Sequence, residues 1–312
     1  MIRSAPTGLS AAPKRRSALL RQEAIDGYLC ILPWVVGFVI FTAGPMLASG
    51  YLAFTQYDIA FAPKFIGLAN FQQLLFGDPL FWLSLYNTAY FTFLFVPLHL
   101  LFALIAALAL NLRVRGISVY RLIFYIPSIT PTVASAFLWM WIFNPDYGLA
   151  NAVLGIAGLP PQKWLFSETL AKPSFIILSL WGLGSAMIIF LAGLQAVPES
   201  LHEAAAIDGA GVLGRFWHVT LPMLTPVIFF NLVIGIIGSF QIFTTAFIAT
   251  QGGPDNATLF YVLYLYNQGF QFLHMGYASA LAWVLFLIIL GFTFVQVQVS
   301  NRWVYYEGGT DG

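Results

Sequence analysis

Charge is what this sequence has least of. Only 8% of its 312 residues are Asp, Glu, Lys or Arg, whereas 60% are hydrophobic. Soluble domains carry roughly 25% charged residues, so a soluble globular chain is excluded: too little polar surface is available to shield that much apolar surface from water. Cysteine is nearly missing as well. Cys30 stands alone, which excludes a disulfide framework and the paired spacing of a zinc site. The net charge of +1 supplies no field for nucleic acid. No stretch matches G-x-x-x-x-G-K-[ST], so the phosphate-cradling loop of nucleotide-binding chains is absent. The histidines His99, His202, His218 and His274 are scattered and no Ser or Cys sits in a nucleophile motif. The chain is therefore expected to be no enzyme and to bind no cofactor or metal itself.

What is present is a series of apolar runs near or above the roughly 20 residues that cross a bilayer. They predict an all-α, polytopic membrane protein with about six transmembrane helices, near residues 28–50, 85–110, 122–143, 174–195, 224–249 and 277–299. Lys14, Arg15, Arg16 and Arg21 ahead of the first run superficially suggest a signal peptide. The run from Tyr28 to about Phe54, interrupted by Gly44 and Pro45, is too long for that and reads as a retained helix.

Six spans put both ends on one side. That side receives Arg3, Lys14, Arg15, Arg16, Arg21, Arg113, Arg115, Arg121, Arg215 and Arg302, against Lys64, Lys163 and Lys172 on the other, so the positive-inside rule predicts cytoplasmic termini. The expected organisation is a tail at 1–27, a membrane domain at 28–300 containing a cytoplasmic loop at 196–223, and a second tail at 301–312. The opposite loops, "YDIAFAPKFIGLANF", "NPDYGLANAVLGIAGLPPQKW" and "TQGGPDNATLF", are rich in turn-forming Pro, Gly and Asn. Trp82, Trp139, Trp141, Trp164 and Trp303 fall near span ends, as an interfacial belt requires.

No Asp, Glu, Lys or Arg falls inside a predicted span. Proton- and sodium-coupled carriers usually keep their coupling groups there, so an ion-coupled carrier is the second reading rather than the first; sodium held by backbone carbonyls at broken helices keeps it open. Helix breakers are present at Pro97, Pro127, Pro131 and Gly182. His99 reads as a helix-packing group, because no span offers it an acidic partner.

Between the fourth and fifth spans lies "VPESLHEAAAIDGAGVLGRFWHVTLPML". It predicts two short helices with a glycine corner. Pro198 and Glu199 suit a first turn, Ser200 and Glu203 have capping-box spacing, and Ala204, Ala205 and Ala206 favour helix. Gly209 and Gly211 are expected to stop that helix, Val212, Phe216 and Trp217 give the next segment an apolar side, and Pro222 leads back to the membrane. Such a knob could carry motion from a soluble partner; an ordinary amphipathic surface loop fits the same pattern.

The segment is similar to the signature of the membrane subunits of ATP-binding-cassette importers: E-A-A, three residues, G, nine residues, I, one residue, L-P. Here the positions are Glu203, Ala204, Ala205, Gly209, Val219, Leu221 and Pro222, with Val in place of Ile. The resemblance covers nearly the whole chain and is closest to the carbohydrate-uptake branch, the permeases of the maltose and glycerol-phosphate type. "FTQYD", "PKFIGLANF", "YRLIFYIPSITP", "FNPDYG", "TQGGP" and "RWVYYE" also look like that branch, in order and spacing. The resemblance implies a type I importer permease in a bacterial inner membrane, paired with a second and different permease subunit, two ATP-binding subunits that hold ATP and Mg, and an external solute-binding protein. It further implies that the loop docks on an ATP-binding subunit.

A sugar in transit needs hydroxyl and amide partners and aromatic faces. The fifth span offers Asn231, Gly235 and Ser239 on one face, then Gln241 and Thr245. The third offers Ser128, Thr130, Thr132 and Ser135, and the fourth Trp181 and Ser185 beside Gly182 and Gly184. Resemblance puts Ser128, Thr132, Gly235 and Ser239 at or near positions that line the sugar site of the maltose-type subunit, without its amide-rich pattern. Close helix packing through small and hydroxyl residues is the competing reading of each.

Overall fold

The computed structural model describes residues 18–112 and 114–305. Arg3, Lys14, Arg15, Arg16 and Arg113, with the rest of 1–17 and 306–312, lie outside the described residues. Among the described residues, those up to Tyr51 form one compact unit and those from Leu52 onward a second.

In the first unit, α1 (Ala18–Phe38) and α2 (Gly44–Leu52) are joined by a single wide π turn, Val39–Ala43. Residues Arg21–Leu52 are long and apolar enough to cross a membrane. The interruption expected at Gly44 and Pro45 is a widening, not a stop. Pro45 has no N–H and its ring would strike a carbonyl in the preceding turn; there the Gly44 N–H reaches back to the Val39 carbonyl and the turn opens to absorb the ring.

The second unit opens with a two-residue antiparallel hairpin, β1 (Thr55–Gln56) and β2 (Lys64–Phe65), with Thr55 opposite Phe65. A short helix α3 (Ala69–Gln72) leads to α4 (Pro79–Leu110), 32 residues long. Asp78 caps α4 by accepting the N–H groups of Leu80 and Phe81 at 2.9 and 3.2 Å, with Pro79 in the first turn where its missing N–H costs nothing. There follow α5 (Ile117–Ile129), α6 (Thr132–Ile142), α7 (Leu149–Ile156), α8 (Ala171–Leu180), α9 (Gly184–Ala196), α10 (Glu199–Ile207), α11 (Val212–Arg215), α12 (Leu221–Phe240), α13 (Thr244–Ala249), α14 (Tyr261–Tyr266) and α15 (Met275–Ser300).

Among the described residues, four stretches, Arg21–Leu52, Pro79–Leu110, Val212–Ala249 and Met275–Ser300, are each long and apolar enough to span a bilayer, and the number rises to six if two bent pairs each count as one span. The bent pairs fall where the sequence has helix breakers, Pro131 and Gly182. The third span, expected at 122–143, is broken by 100° between α5 and α6. Thr130 precedes Pro131, and the proline ring drives it out of the helical region to φ −70°, ψ 132°. Between α8 and α9 the bend is 47°.

Two layers of buried side chains hold this unit together. One, around Phe81, Phe91, Phe175, Phe260 and Tyr261, is aromatic and surrounds the start of α4. The other sets Ala103, Ala106 and Ala107 of α4 against Met187, Phe190 and Leu191 of α9. Small residues there let the helices approach closely, which is how helices associate where lipid removes the hydrophobic driving force.

Candidate functional site

The loop after α9 is a helical corner. Pro198 (φ −60°, ψ 129°) occupies the N-cap position of α10 and Glu199 the first helical turn. Ser200 is therefore already inside the helix, and the expected Ser200–Glu203 capping box does not form. At the other end Gly209 has φ +82°, a left-handed conformation that only glycine adopts cheaply. The Gly209 N–H donates to the Ala206 carbonyl at 3.1 Å and the Ala210 N–H to the Ala205 carbonyl at 2.9 Å. That pair of bonds is a Schellman closure, which satisfies carbonyls otherwise left bare at the helix end.

Gly211 has a different role from the one expected of it. Its φ of −68° and ψ of 175° make it the extended residue that starts α11, and any residue can adopt that conformation. Nor is the second segment a separate short helix: α11 runs through a wide turn at Phe216–Thr220 directly into α12. The wide turn again precedes a proline, Pro222, and the Thr225 hydroxyl donates to the Pro222 carbonyl at 2.7 Å. Movement of the corner is thus tied to α12 by continuous helix.

The corner carries large apolar side chains that the second unit leaves uncovered. Ile207 is 87% exposed, Val212 78% and Leu213 71%, with Trp217 also exposed. Among the signature positions, Glu203, Ala204 and Gly209 are exposed, and Ala205, Val219, Leu221 and Pro222 are half-buried. Beside the corner lies a cavity of about 470 Å³ lined by Asn111, Arg121, Gln195, Glu199 and His202 among others. Arg121 donates to the Leu110 carbonyl at 3.0 Å, which caps the far end of α4.

The polar residues of the spans separate into groups. Ser128 lies against the start of α9: a Cβ on Gly184 would fall 2.8 Å from the Tyr125 Cα and 3.1 Å from the Ser128 Oγ, so Gly184 is what lets α9 touch α5. Trp181, at the bend between α8 and α9, meets Trp139 of α6 edge to face with centroids 6.2 Å apart. Thr132 and Ser185 are exposed and Ser135 half-buried. Thr245 is buried on α13, which packs on α6. Gly235 and Ser239 are placed otherwise. A Cβ on Gly235 would meet Val96 of α4 at 3.2 Å, and Asn231 and Ser239 on the same face are buried, so this face is used for packing on α4. Gln241 lines a groove with Val262, Leu265, Leu285 and Ile289, apart from the rest.

Sequence reasoning missed two polar clusters near the start of α4. Asn87, fully buried, donates to the carbonyls of Asn256 and Leu259 at 2.9 and 3.2 Å. Its oxygen accepts a bond of 3.0 Å from the Lys172 ammonium, which also lies over the rings of Tyr86 and Tyr90. In the second cluster, the hydroxyls of Tyr264 and Tyr277 both donate to the carboxylate of Asp78, Gln268 donates to the Tyr264 hydroxyl, and the His274 ring pairs with the Gln268 oxygen at 3.1 Å. Burial first, and then the bond to Asp78, push the Tyr264 phenol above its ordinary value, so it stays a donor.

Residues 99–305 match the model of the family described as binding-protein-dependent transport system inner membrane component. The chain is 45% identical over 305 residues to a probable ABC transporter permease protein YesP of Bacillus subtilis, covering 96% of this chain and 98% of that one. It is 36% identical over 288 residues to the trehalose/maltose transport system permease protein MalF of Thermococcus litoralis, covering 91% and 97%. Its fold is similar to that of a chain in the crystal structure of a bacterial alginate ABC transporter in complex with an alginate pentasaccharide-bound periplasmic protein, with a TM-score of 0.80 at 23% identity over 92% of this chain and 98% of that one.

Proposed function

The chain belongs to the family of binding-protein-dependent transport system inner membrane components, and from that premise we propose that it is the permease subunit of an ATP-driven importer of a sugar or related polyol. It forms half of the translocation pathway and pairs with a second, related permease subunit. Two ATP-binding subunits hold ATP and Mg and carry out hydrolysis, and an external binding protein delivers the solute. The solute class rests on relatives whose names specify trehalose/maltose and arabinooligosaccharide transport.

One observation carries this reading: a corner locked by Gly209 presents Ile207, Val212 and Leu213 away from its own unit and is continuous with α12. A rigid apolar knob joined to a spanning helix is what a soluble motor needs in order to grip and to tilt that helix. Glu203, Ala204, Ala205, Gly209, Val219, Leu221 and Pro222 are assigned to this contact. ATP is cytoplasmic, so the knob faces the cytoplasm, and with six spans both termini do too. Closure of the ATPase pair on ATP would favour the outward-facing cavity, and hydrolysis would return it inward; uphill transport requires that this closure energy differ between the two states. Ser128, Thr132, Ser135, Trp181, Ser185 and Thr245 are proposed as the solute path, with Gly235, Ser239 and Gln241 in supporting positions.

The test is cross-linking. In a Cys30→Ser background, Ile207→Cys or Val212→Cys should couple through a short bifunctional reagent to the ATP-binding subunit in the assembled complex. A control, Ile156→Cys on α7, should not. Equal coupling at all three positions, or none at 207 and 212, contradicts the docking role.

A further inference from the structure

We propose that the end of the bundle remote from the knob holds a second carbohydrate site, a cavity between the Phe54–Asp58 segment and the α14–α15 hairpin that binds a neutral, hydroxyl-rich ligand through Gln56, Asp58, Gln73 and His274. The ligand class rests on the importer reading above; the site itself rests on the following geometry.

The cavity has a volume of about 600 Å³, within the range that encloses small-molecule ligands. Its position follows from α4. Asp78, in the cavity wall, precedes the first residue of that helix, and Asn111, in the wall of the cavity beside the knob, follows its last. A helix of 32 residues is about 48 Å long at ~1.5 Å per residue, more than a hydrocarbon core. The two cavities therefore open on opposite sides of the membrane, and this one meets a solute arriving from outside.

The walls are fixed before any ligand comes. The Gly276 N–H donates to the Tyr57 carbonyl at 3.1 Å, and the Asn70 amide donates to the carbonyls of Ala53 and Thr55, each at 2.9 Å. These bonds hold the "FTQYD" segment, Phe54–Asp58, which contains β1, to the rest of the unit as one wall. Asp78, Tyr264 and Tyr277 form the opposite wall, and Gln268 and His274 extend it.

The chemistry of the lining selects the ligand class. Asp78 has no capacity left, since one oxygen accepts two helix N–H groups and the other two phenols. Asp58 is then the one carboxylate free to act, too few for a hard divalent cation, which takes six or more oxygens. The lining contains no Lys or Arg, so an anion would meet carboxylate without compensation. Among the described residues the side chains of Gln56, Asp58 and Gln73 have no hydrogen-bond partner, and His274 commits only Nδ1. Planar amide and carboxylate groups match the paired donor and acceptor character of neighbouring hydroxyls, and Tyr57 adds an aromatic ring to the same wall. A neutral sugar satisfies this set, whereas a protein surface would need flat apolar area that the lining lacks.

The experiment is saturation-transfer NMR on the full-length chain in lipid nanodiscs, with maltose, trehalose and arabinobiose as the probes. At least one disaccharide should receive transfer. The Gln56→Ala/Asp58→Asn variant should lower that signal by about tenfold, as expected for loss of a charged hydrogen-bond partner. Gln73→Trp, which puts a larger side chain into the cavity lining, should lower it at least as far, and Ile156→Ala, exposed on α7 and in neither the cavity lining nor the proposed solute path, should leave it unchanged. Each variant is first shown to elute and melt as the parent does. Transfer that the cavity variants keep overturns the site, as does transfer to none of the three disaccharides. Competition for the cavity by a solute-binding protein alone, with no disaccharide signal, overturns it in favour of protein docking. ATP-driven uptake without disaccharide binding here would sink this site and leave the importer reading standing; binding here with ATP-independent uptake would do the reverse.

Discussion

Gly276 lies so close to Thr55 that a Cβ at position 276 would overlap the Thr55 carbonyl oxygen and sit 3.1 Å from the Tyr57 N. No flexible side chain stands between them to give way; the obstacle is backbone. Gly276→Ala is expected to separate the Phe54–Asp58 segment from α15 and to destabilise the protein by about 1–3 kcal/mol, the usual penalty of overpacking. Gly291→Ala, in the same helix with nothing within 4 Å, should be neutral or stabilising by up to about 1 kcal/mol, since alanine is the better helix former. Thermal melts of the two variants in detergent compare them directly, and equal midpoints would refute the contact.

Asn87 is the hinge point of three elements, since it joins α4 to the carbonyls of Asn256 and Leu259 and to the Lys172 ammonium. Asn87→Ala leaves two buried carbonyls and one cation without their partner, at an expected cost of about 1–3 kcal/mol. Lys172→Met should cost less, because it removes the cation together with its need for a partner. A larger loss for Lys172→Met than for Asn87→Ala would contradict the assignment of Asn87 as the organising residue.

Gly184 admits α9 to α5 beside the Tyr125 backbone and Ser128. Gly184→Val should open that contact and lower both the melting temperature and uptake. Gly182→Ala, whose Cβ would meet only the Ser179 carbonyl at an ordinary 3.6 Å, should retain both. Uptake by the two variants in whole cells, normalised to the amount of protein in the membrane, separates them.

Much of this architecture was legible because its signals are local. Spanning length and apolarity declare α4 and α15, and the alanine run followed by Gly209 declares the helical corner. The break between α5 and α6 was half-legible: Pro131 was visible, but the 100° turn depends on the extended backbone of Thr130. Gly209 and Gly211 looked alike in sequence, and only the sign of φ tells the left-handed stop from the extended start. The clusters at Asp78 and Asn87 were not legible. Their partners lie 186 and 199 residues away for Asp78 and 85 to 172 for Asn87, and no periodicity encodes such pairs. Asp78 did carry one readable sign, a capping residue directly before a proline.

The Gly209 corner is proposed to transmit the energy of ATP to the spanning helices. The direct measurement is solute uptake into proteoliposomes containing the chain, its permease partner, the ATP-binding subunits and the binding protein. It would compare the parent with Gly209→Val, which forces a β-branched residue into φ +82° at a cost of about 1–2 kcal/mol, and with Gly211→Val, which is compatible with its extended backbone. The expected result is uptake that requires internal ATP, falls about tenfold or more in Gly209→Val, and persists in Gly211→Val. Uptake driven by a proton or sodium gradient without ATP, or full ATP-dependent uptake in Gly209→Val, would contradict the coupling role of this corner.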